Sequence, residues 1–331
     1  MKAGSRAGKR TASVPAYAKL NLGLRILYKR ADGFHELRTV FQTISLADRL
    51  DISFTPGKTT HLSLEGTPDI ADNLVVRAAV LVLESLSIHG VIEFNLKKNI
   101  AMGAGLGGGS SNAAAVLLAL PVLAGKALSS DRLQAIALEL GSDVPFFLHG
   151  GTALGLGRGE ELYPLPDLPP ARGLLVLPGV HSSTVEAYQA LSPRLTSIPL
   201  QNKINSFQKE LWRGAADGSR GRTSGVAVDD NDFEEVVFER HPELRKIKEQ
   251  LVRHGAKPAA MTGSGSAIFG LFPNPGKLKR AAKQFPDQTV IPIALVSRAR
   301  YRSAWQRALK LHVEGNLWPP QSRYARNLSA R

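Results

Sequence analysis

A glycine-rich segment near residue 105 limits the possible folds of this chain more than any other feature. It has five glycines and two serines in eleven residues, which are Met102, Gly103, Ala104, Gly105, Leu106, Gly107, Gly108, Gly109, Ser110, Ser111 and Asn112. Residues 91–96 predict a strand before it, and the Ala/Leu/Val-rich residues 113–120 predict a helix after it. Glycines let the backbone approach a ligand closely, and the N-terminus of a helix carries a partial positive charge. The order strand, glycine loop, helix therefore predicts a phosphate site. The alternative is a packing turn in which Ser110 or Ser111 caps the helix.

Other nucleotide and catalytic motifs fit the sequence less well. Residues 57–59 (Gly-Lys-Thr) end like a Walker A motif, but Ile52 stands where its first glycine is required. Residues 103–108 satisfy the Gly-x-Gly-x-x-Gly spacing, but no strand ending in an acidic residue follows at the distance that a dinucleotide fold needs. The His-Arg-Asp and Asp-Phe-Gly motifs of protein kinases and the Gly-x-Ser-x-Gly motif of hydrolases do not occur.

The length and composition predict a soluble protein of about two domains. The 331 residues are 43% hydrophobic and 21% charged, which is typical of folded globular chains. The chain has no cysteine, so disulfides, thiolate metal sites and a cysteine nucleophile are excluded. No apolar run approaches the roughly 18–20 residues that span a bilayer. We therefore expect a cytoplasmic protein without a membrane partner.

The positive charge is concentrated at the two ends of the chain. There are 42 Lys and Arg against 28 Asp and Glu, a net charge of +14. Residues 1–10 have four basic and no acidic residues, and residues 298–331 have eight basic residues and one acidic residue, so these segments hold +11 of the total. We expect a basic N-terminal arm at 1–12 and a basic C-terminal extension at 298–331. Because the middle is nearly neutral, nucleic acid is not an expected partner.

The remaining patterns predict strands and helices on both sides of a proline-rich boundary. Residues 16–27 alternate between apolar and polar, which predicts a strand with one buried face on which Lys19 and Asn21 point the same way. Asp72 is predicted to cap a helix that starts near Asn73. The prolines of 163–172 indicate a domain boundary. Further strands are predicted at 39–46, 50–54, 173–177, 267–272 and 290–296, helices at 131–140 and 242–254, and an exposed loop at 201–225.

Six segments of the chain resemble motifs of the GHMP kinases, which phosphorylate small molecules. Their order is similar to that in the branch of the family that acts on 4-diphosphocytidyl-2-C-methyl-D-erythritol. The segments are Ala18–Leu22, Arg30–His35, Gly103–Asn112, Gly141–Pro145, Asn231–Glu234 and Thr262–Ser266. The resemblance covers the chain from Ala16 to about Val296.

The resemblance implies an α+β, two-domain GHMP kinase fold with the substrate in the cleft. A ribosomal-S5-domain-2-like N-terminal domain would occupy 13–168 and a ferredoxin-like C-terminal domain 169–297. The implied reaction moves the γ-phosphoryl group of ATP to the 2-hydroxyl of the methylerythritol unit, in the non-mevalonate isoprenoid pathway. The alternatives are a homoserine or mevalonate-type kinase of the same superfamily, or an RNA-binding protein with an S5-like domain.

The resemblance also implies the catalytic and ATP-binding residues. Phosphoryl transfer needs a group that takes the hydroxyl proton and a cation that offsets charge, and Asp143 and Lys19 match these positions. Without the resemblance, Asp143 could equally cap a helix and Lys19 could be a solvated surface residue. The loop 102–112 would hold the phosphates, with Asn73 and Lys98 near the adenine. Mg²⁺ is implied by ATP chemistry, although no acidic cluster has metal-ligand spacing; Ser110 or Ser111 could contact it.

Five further residues are expected by resemblance to bind the small-molecule substrate. Asn21 and His35 would hold it, His35 by a hydrogen bond to the cytosine edge. Phe34 and Tyr188 would stack on the cytosine, and Thr184 would lie on the same wall as Tyr188. Phe34 stands where tyrosine is usual, so it keeps the aromatic face but lacks the hydroxyl. The protein is expected to act as a monomer or weak homodimer.

Overall fold

The first half of the chain forms a six-stranded sheet covered by helices. The computed structural model describes residues 8–66, 72–180, 182–195 and 230–325, so the loop predicted at 201–225 lies outside the described residues. The elements are β1 (Arg10–Lys29), β2 (His35–Pro56), β3 (His61–Glu65), α1 (Leu74–Leu86), β4 (Gly90–Lys97), α2 (Gly108–Ala124), α3 (Ser130–Leu140), α4 (Val144–His149), β5 (Thr152–Leu156) and β6 (Glu161–Pro164). The sheet order is β3-β4-β2-β5-β6, with β1 also paired with β2.

The second half forms a four-stranded antiparallel sheet with its own helices. Its described elements are β7 (Arg172–Leu177), α5 (Thr184–Leu191), α6 (Phe233–Arg240), α7 (Pro242–Arg253), β8 (Ala259–Met261), β9 (Ile268–Phe272), α8 (Pro275–Ala282), β10 (Thr289–Ala294) and α9 (Arg298–Ala308). The strand order is β10-β7-β9-β8. Among the described helices, none is long and apolar enough to cross a membrane.

The long strand pair β1 and β2 connects both halves and carries two of the predicted site residues. The strands pair antiparallel, with irregularities after Tyr17 and after Asn21, and such bulges re-aim side chains. The predicted one-sided burial of β1 is wrong around Lys19, because every residue from 18 to 24 is buried. The helices cover one face of the strand, and an apolar cluster that includes the second sheet covers the other. Lys19 is therefore an interior residue.

Three other elements differ from the sequence predictions. The strands predicted at 39–46 and 50–54 are the single strand β2. Asn73, not Asp72, caps α1, because its backbone is extended and its Oδ1 accepts a hydrogen bond from Val75 N. Helix α2 begins at Gly108, so the last part of the glycine loop is the first turn of the helix. The helix lies within the main apolar core, where packing outweighs the poor helix propensity of its glycines.

The described part of the C-terminal extension packs against the first half of the chain. Tyr301 and Trp305 on α9 are each 1% exposed and belong to the same apolar core as α2 and α4. Arg298 donates hydrogen bonds to the carbonyl oxygens of Thr152 and Leu165. The described part of this basic extension therefore contributes aromatic packing, through Tyr301 and Trp305, and hydrogen bonds, through Arg298.

Candidate active site

A cavity of about 200 Å³ lies between the two halves of the chain. It is lined by strands β1 and β2, the glycine loop, the start of α4, helix α5 and the turn at 263–265. A larger groove of about 730 Å³ lies over β1, β2 and β4, but its lining residues include none from the glycine loop. The cavity between the two halves is therefore the candidate active site.

Lys19 and Asp143 form an ion pair in the wall of this cavity. Lys19 Nζ lies 3.3 Å from Asp143 Oδ2 and donates a hydrogen bond of 2.7 Å to Asn21 Oδ1. The lysine side chain is 5% exposed and that of Asp143 is 32% exposed. A buried ammonium requires such partners, because desolvation without them is costly. The pair therefore combines a carboxylate that a ligand can reach with a cation held beside it.

Asn21 is held between β2 and the turn that follows β8. Its backbone N–H donates to Thr262 Oγ1 at 3.0 Å, and its side-chain Nδ2 donates to Thr39 Oγ1 at 2.8 Å. Thr39 Oγ1 in turn donates to the carbonyl oxygen of Gly23 at 2.7 Å. With its nitrogen engaged by Thr39, the amide of Asn21 points its oxygen at Lys19. This network fixes the position of the lysine ammonium.

The glycine loop fits closely against both halves of the chain. Gly105 has a φ of +76°, and a Cβ there would lie 2.0 Å from the carbonyl oxygen of Thr262. A Cβ at Gly107 would lie 2.9 Å from the Phe147 ring and 3.2 Å from Lys19 Cε. Only glycine fits such approaches at positive φ. The first amides of an α-helix lack intrahelical partners, so this packing places a cluster of N–H donors at the start of α2, beside Lys19.

The segment before the loop is fixed by a buried carboxylate. Asp48, whose side chain is 0% exposed, pairs with Lys98 Nζ through a short hydrogen bond. Its other oxygen accepts from the backbone amides of Asn99 and Ile100 at 2.7 and 2.8 Å. A Cβ on Gly108 would lie 3.2 Å from Lys98 Nζ, so this ammonium borders the start of α2. The charge of Lys98 is therefore held next to the loop.

Aromatic rings form another wall near the cavity. His35 stacks on Tyr188 with ring centroids 4.8 Å apart, and Phe233 meets the same tyrosine edge-on, also at 4.8 Å. His35 Nε2 lies 2.9 Å from Ser192 Oγ. Phe34 is 53% exposed, and the guanidinium of Arg158 lies 4.7 Å from its ring centroid. This arrangement provides flat apolar faces with polar groups at their edges.

Burial favours the neutral form of both stacked rings. It lowers the pKa of His35, and the positive charge of Lys29 acts in the same direction. Burial also raises the pKa of Tyr188 to about 12, and the negative charge of Asp143 adds to this increase. Near neutral pH the imidazole of His35 therefore offers one hydrogen-bond donor and one acceptor.

Comparison with known proteins identifies the family. Residues 73–151 match the model described as GHMP kinases N terminal domain, and residues 219–290 match GHMP kinases C terminal. A 4-diphosphocytidyl-2-C-methyl-D-erythritol kinase from Solibacter usitatus is 55% identical over 319 residues, which cover 95% of this chain and 98% of the relative. The chain belongs to the 4-diphosphocytidyl-2-C-methyl-D-erythritol kinase family.

Other members of this kinase family agree in sequence and structure. A relative from Prosthecochloris aestuarii with the same name is 41% identical over 82% of this chain and 93% of its own length. The crystal structure of a 4-(cytidine 5'-diphospho)-2C-methyl-D-erythritol kinase has a TM-score of 0.69 and 37% identity, covering 86% of this chain and 98% of that chain. The predicted family and its α+β GHMP kinase fold are confirmed. The chain is a phosphotransferase, and membership of the GHMP kinases implies that it uses ATP.

The structure brings both predicted catalytic residues and three of the five predicted substrate-binding residues together in the cavity wall. Lys19, Asn21, Asp143, Thr184 and Tyr188 line the cavity. Phe34 and His35 are not among the lining residues, but they contact two that are, Arg158 and Tyr188. Asn73 caps α1, whose first residue, Leu74, would lie 3.7 Å from a Cβ on Gly109. Asn73 and Lys98 are therefore near the start of α2, away from the cavity itself.

The glycine loop divides into parts that face the site and parts that pack. Gly103, Gly105 and Gly107 line the cavity, and Gly108, Gly109 and Ser110 form the first turn of α2. Met102 is 62% exposed, whereas Ala104, Leu106, Ser111 and Asn112 are buried. The Oδ1 atom of Asn112 is buried without a hydrogen-bond partner. The side chains of Ala104 and Leu106 anchor the loop in the apolar cluster between the sheets.

Sequence reasoning missed several residues that shape the site. Arg158 lines the cavity from the turn after β5, where Glu160 Oε1 accepts a 3.1 Å hydrogen bond from its Nε. Thr39 and Asp48 hold Asn21 and Lys98 in place. A basic residue between two turn glycines, Gly157 and Gly159, was the available signal for Arg158. For Thr39 and Asp48 no sequence pattern distinguished them from other strand residues.

The described residues provide no ready-made metal site. No group of three or more His, Cys, Asp and Glu within them is arranged to hold an ion. The polar side chains at the start of α2 are the hydroxyls of Ser110 and Ser111 and the amide of Asn112. These neutral oxygens suit a hard cation only when further ligands, such as phosphate oxygens, come with it.

Proposed function

We propose that this protein transfers the γ-phosphoryl group of ATP to the 2-hydroxyl of 4-diphosphocytidyl-2-C-methyl-D-erythritol, a step in making isoprenoid precursors by the non-mevalonate pathway. The observation that carries the catalytic part of the proposal is the Lys19–Asp143 pair, 3.3 Å apart in the cavity wall and next to the glycine loop. The names of the relatives support the substrate.

In the proposed reaction, Asp143 accepts the proton of the 2-hydroxyl. The hydroxyl oxygen forms a bond to the γ-phosphorus, the bond from that phosphorus to the β–γ bridging oxygen breaks, and ADP leaves. Lys19 stabilises the negative charge that develops during the transfer. Because Asn21 and Asp143 hold its ammonium in place, little reorganisation is needed as that charge appears.

We propose that the glycine loop at 102–112 holds the triphosphate and that Asn73 and Lys98 lie near the adenine. The backbone amides at the start of α2 suit phosphate because they combine unpaired donors with the partial positive charge of the helix. Mg²⁺ would enter with ATP and would neutralise phosphate charge. The hydroxyl oxygen of Ser110 or Ser111 would be one of its ligands. The absence of carboxylate clusters in the described residues fits an ion bound mainly by phosphate oxygens.

We propose that Phe34, His35, Thr184 and Tyr188 recognise the cytidine part of the substrate. The exposed face of Phe34 and the ring of Tyr188 suit stacking on a planar base, and neutral His35 suits hydrogen bonding to its edge. Thr184 Oγ1 lies 2.7 Å from Ser264 Oγ, so this wall is joined to the turn beside the glycine loop. Asn21 would contact the reacting end.

A substrate panel tests the proposed reaction. Purified protein with ATP and MgCl₂ is given the cytidine substrate, homoserine or mevalonate, and the product is followed by ³¹P NMR. We expect a new phosphomonoester signal with the cytidine substrate only. Turnover of homoserine or mevalonate at a higher rate than the cytidine substrate would refute the substrate assignment. The protein would then be a GHMP kinase of another specificity.

We propose that the enzyme acts in the cytoplasm as a monomer or weak homodimer without a nucleic-acid partner. The cavity is lined by residues from both halves of one chain, so the site needs no second subunit. Cell fractionation and sedimentation analysis test this proposal. A membrane-bound enzyme, or an active form found only as a stable higher oligomer, would contradict it.

A further inference from the structure

We propose that the C-terminal segment, residues 298–325, is a positioning element that holds helix α4, and with it Asp143, against Lys19. This inference rests on the proposed roles of those two residues. The segment follows the last strand of the second half, yet its buried residues Tyr301 and Trp305 belong to the core of the first half. It therefore returns to the part of the chain that carries the proposed catalytic pair.

Helix α4 is too short to hold its own position. It has six residues, begins directly after Asp143 and ends at His149, with Gly150 as its C-cap. The last four carbonyl groups of any α-helix lack intrahelical partners, and so short a helix is stable only through its contacts. The side chain of Asp143 makes no capping hydrogen bond at the other end of the helix. The position of α4 must therefore come from its neighbours.

The C-terminal segment supplies hydrogen bonds to two of these carbonyl groups. The hydroxyl of Tyr301 donates to the carbonyl oxygen of Phe147, and Trp318 Nε1 donates to that of Leu148 at 2.9 Å. The rings of Tyr301 and Trp318 meet edge-on with centroids 6.0 Å apart. The two donors are thus packed against each other and act on consecutive residues of α4.

Tyr301 also contacts the strand that carries Lys19. Its ring centroid lies 5.5 Å from that of Tyr17, two residues before Lys19 on β1. A Cβ on Gly150, at the end of α4, would lie 2.5 Å from Tyr301 Cγ. The same buried side chain therefore contacts the strand of the lysine and the helix that follows the aspartate.

A shift of α4 would reach the site through two phenylalanines. Phe146 packs on Phe41 with centroids 5.1 Å apart, and the Phe41 ring lies 5.2 Å from Lys19 Nζ. The Phe147 ring lies against Gly107 of the glycine loop, where a Cβ would be 2.9 Å away. Losing the anchor of α4 would thus disturb the pair and the loop together. Misplacement by about 1 Å can lower a rate by about 100-fold.

Conservative variants test the role of the segment. Tyr301→Phe and Trp318→Phe each keep a ring and remove one donor to α4. Ser322→Ala is the matched control, because Ser322 is 4% exposed and donates to the carbonyl oxygen of Val122 on α2, at the end of that helix away from the glycine loop. It removes a buried hydrogen bond of the same segment without touching α4.

The kinetic readout is the division of the effect between kcat and KM. We expect Tyr301→Phe and Trp318→Phe to lower kcat at least about tenfold, with KM for ATP within about twofold of the wild type, because positioning acts on the chemical step. Ser322→Ala should keep kcat within about twofold. Equal kcat in all three variants, or equal loss in the control, would overturn the proposal.

Hydrogen exchange provides a readout that does not depend on catalysis. The amides of 144–150 should exchange faster in Tyr301→Phe than in Ser322→Ala, both as full-length protein under conditions where each is folded. Unchanged exchange in this segment would refute the anchoring. If Tyr301→Phe does not fold, Trp318→Phe supplies the same comparison. If Asp143→Asn kept full turnover, the proposed base would be wrong, and the exchange data would still decide whether the segment holds α4.

Discussion

Replacing Lys19 by methionine tests the electrostatic part of the mechanism. Methionine has a similar length and no charge, so it can occupy the same interior space beside Phe41. The substitution removes the hydrogen bond to Asn21 and the ion pair with Asp143. Because Asp143 is 32% exposed, its carboxylate can be hydrated when the lysine is lost. We expect the free energy of unfolding to fall by only about 1 kcal/mol.

The expected effect on rate follows from the separation of the two charges. At 3.3 Å and an effective dielectric constant of about 20, two unit charges attract by about 5 kcal/mol. Solvent at the partly exposed Asp143 weakens this attraction, to about half of that value. The ammonium of Lys19 should stabilise the negative charge that develops on a hydroxyl bound at Asp143 by a similar amount. A loss of about 2.5 kcal/mol lowers kcat about 70-fold.

The assay is steady-state ATP turnover with the cytidine substrate, with folding checked by circular dichroism. Lys58→Met is the control, because Lys58 is exposed in the turn between β2 and β3 and its charge is away from the cavity. We expect that control to retain wild-type kcat. Wild-type turnover by a folded Lys19→Met protein would refute the role given to the lysine.

Three further variants test the glycine loop, the aromatic wall and the buried carboxylate. Gly105→Ala should lower the melting temperature more than Gly179→Ala. Both glycines have a positive φ, but only a Cβ at 105 would meet backbone, 2.0 Å from the carbonyl oxygen of Thr262. An equal decrease in melting temperature for the two variants, measured by differential scanning calorimetry, would contradict the close fit. The lowered pKa of His35 means that the unfolded chain binds its proton first as pH falls, so stability decreases below about pH 6.5. His35→Gln should therefore show a smaller fall in melting temperature between about pH 7.5 and 5.5, and an unchanged slope would rule this out. Asp48→Ala should reduce the free energy of unfolding by about 3–5 kcal/mol, because it leaves Lys98 and two amides without their partner; a change under about 1 kcal/mol by urea denaturation would count against the anchor.

The glycine loop shows what could be predicted from the sequence. Its composition and its place between a strand and a helix predicted that the backbone comes close to another group. Gly105 confirms this, because its φ is +76° and a Cβ there would lie 2.0 Å from the carbonyl oxygen of Thr262. The boundary was less predictable, because glycine has low helix propensity and α2 nevertheless begins at Gly108. Tertiary packing, which no local pattern reports, extends the helix into the loop.

Lys19 shows where local patterns fail. A polar residue in an alternating strand reads as solvent-facing, but β1 is covered on both faces, by the helices on one side and the second sheet on the other. The ion pair joins residues 124 positions apart, and the Asn21–Thr262 bond joins residues 241 apart. Such contacts come from topology, so the motif resemblance was needed to bring them together.

The C-terminal segment was the least predictable part. Its basic composition predicted a C-terminal extension and gave no sign of core residues in it. Tyr301 and Trp305 nevertheless occur four residues apart on one face of α9 and are buried. An aromatic pair at helical spacing was the available signal for packing. The overall composition of residues 298–331 did not reveal this pair, because eight of these residues are basic and only two belong to the pair.

The most direct test of the account is Asp143→Asn, measured for both binding and turnover. The side chain of Asp143 makes no capping hydrogen bond, so the amide should preserve the fold and the start of α4. Isothermal titration should show dissociation constants for ATP and the cytidine substrate within about threefold of the wild type, while kcat falls at least about 100-fold. Turnover at the wild-type rate by the folded variant would contradict Asp143 as the base.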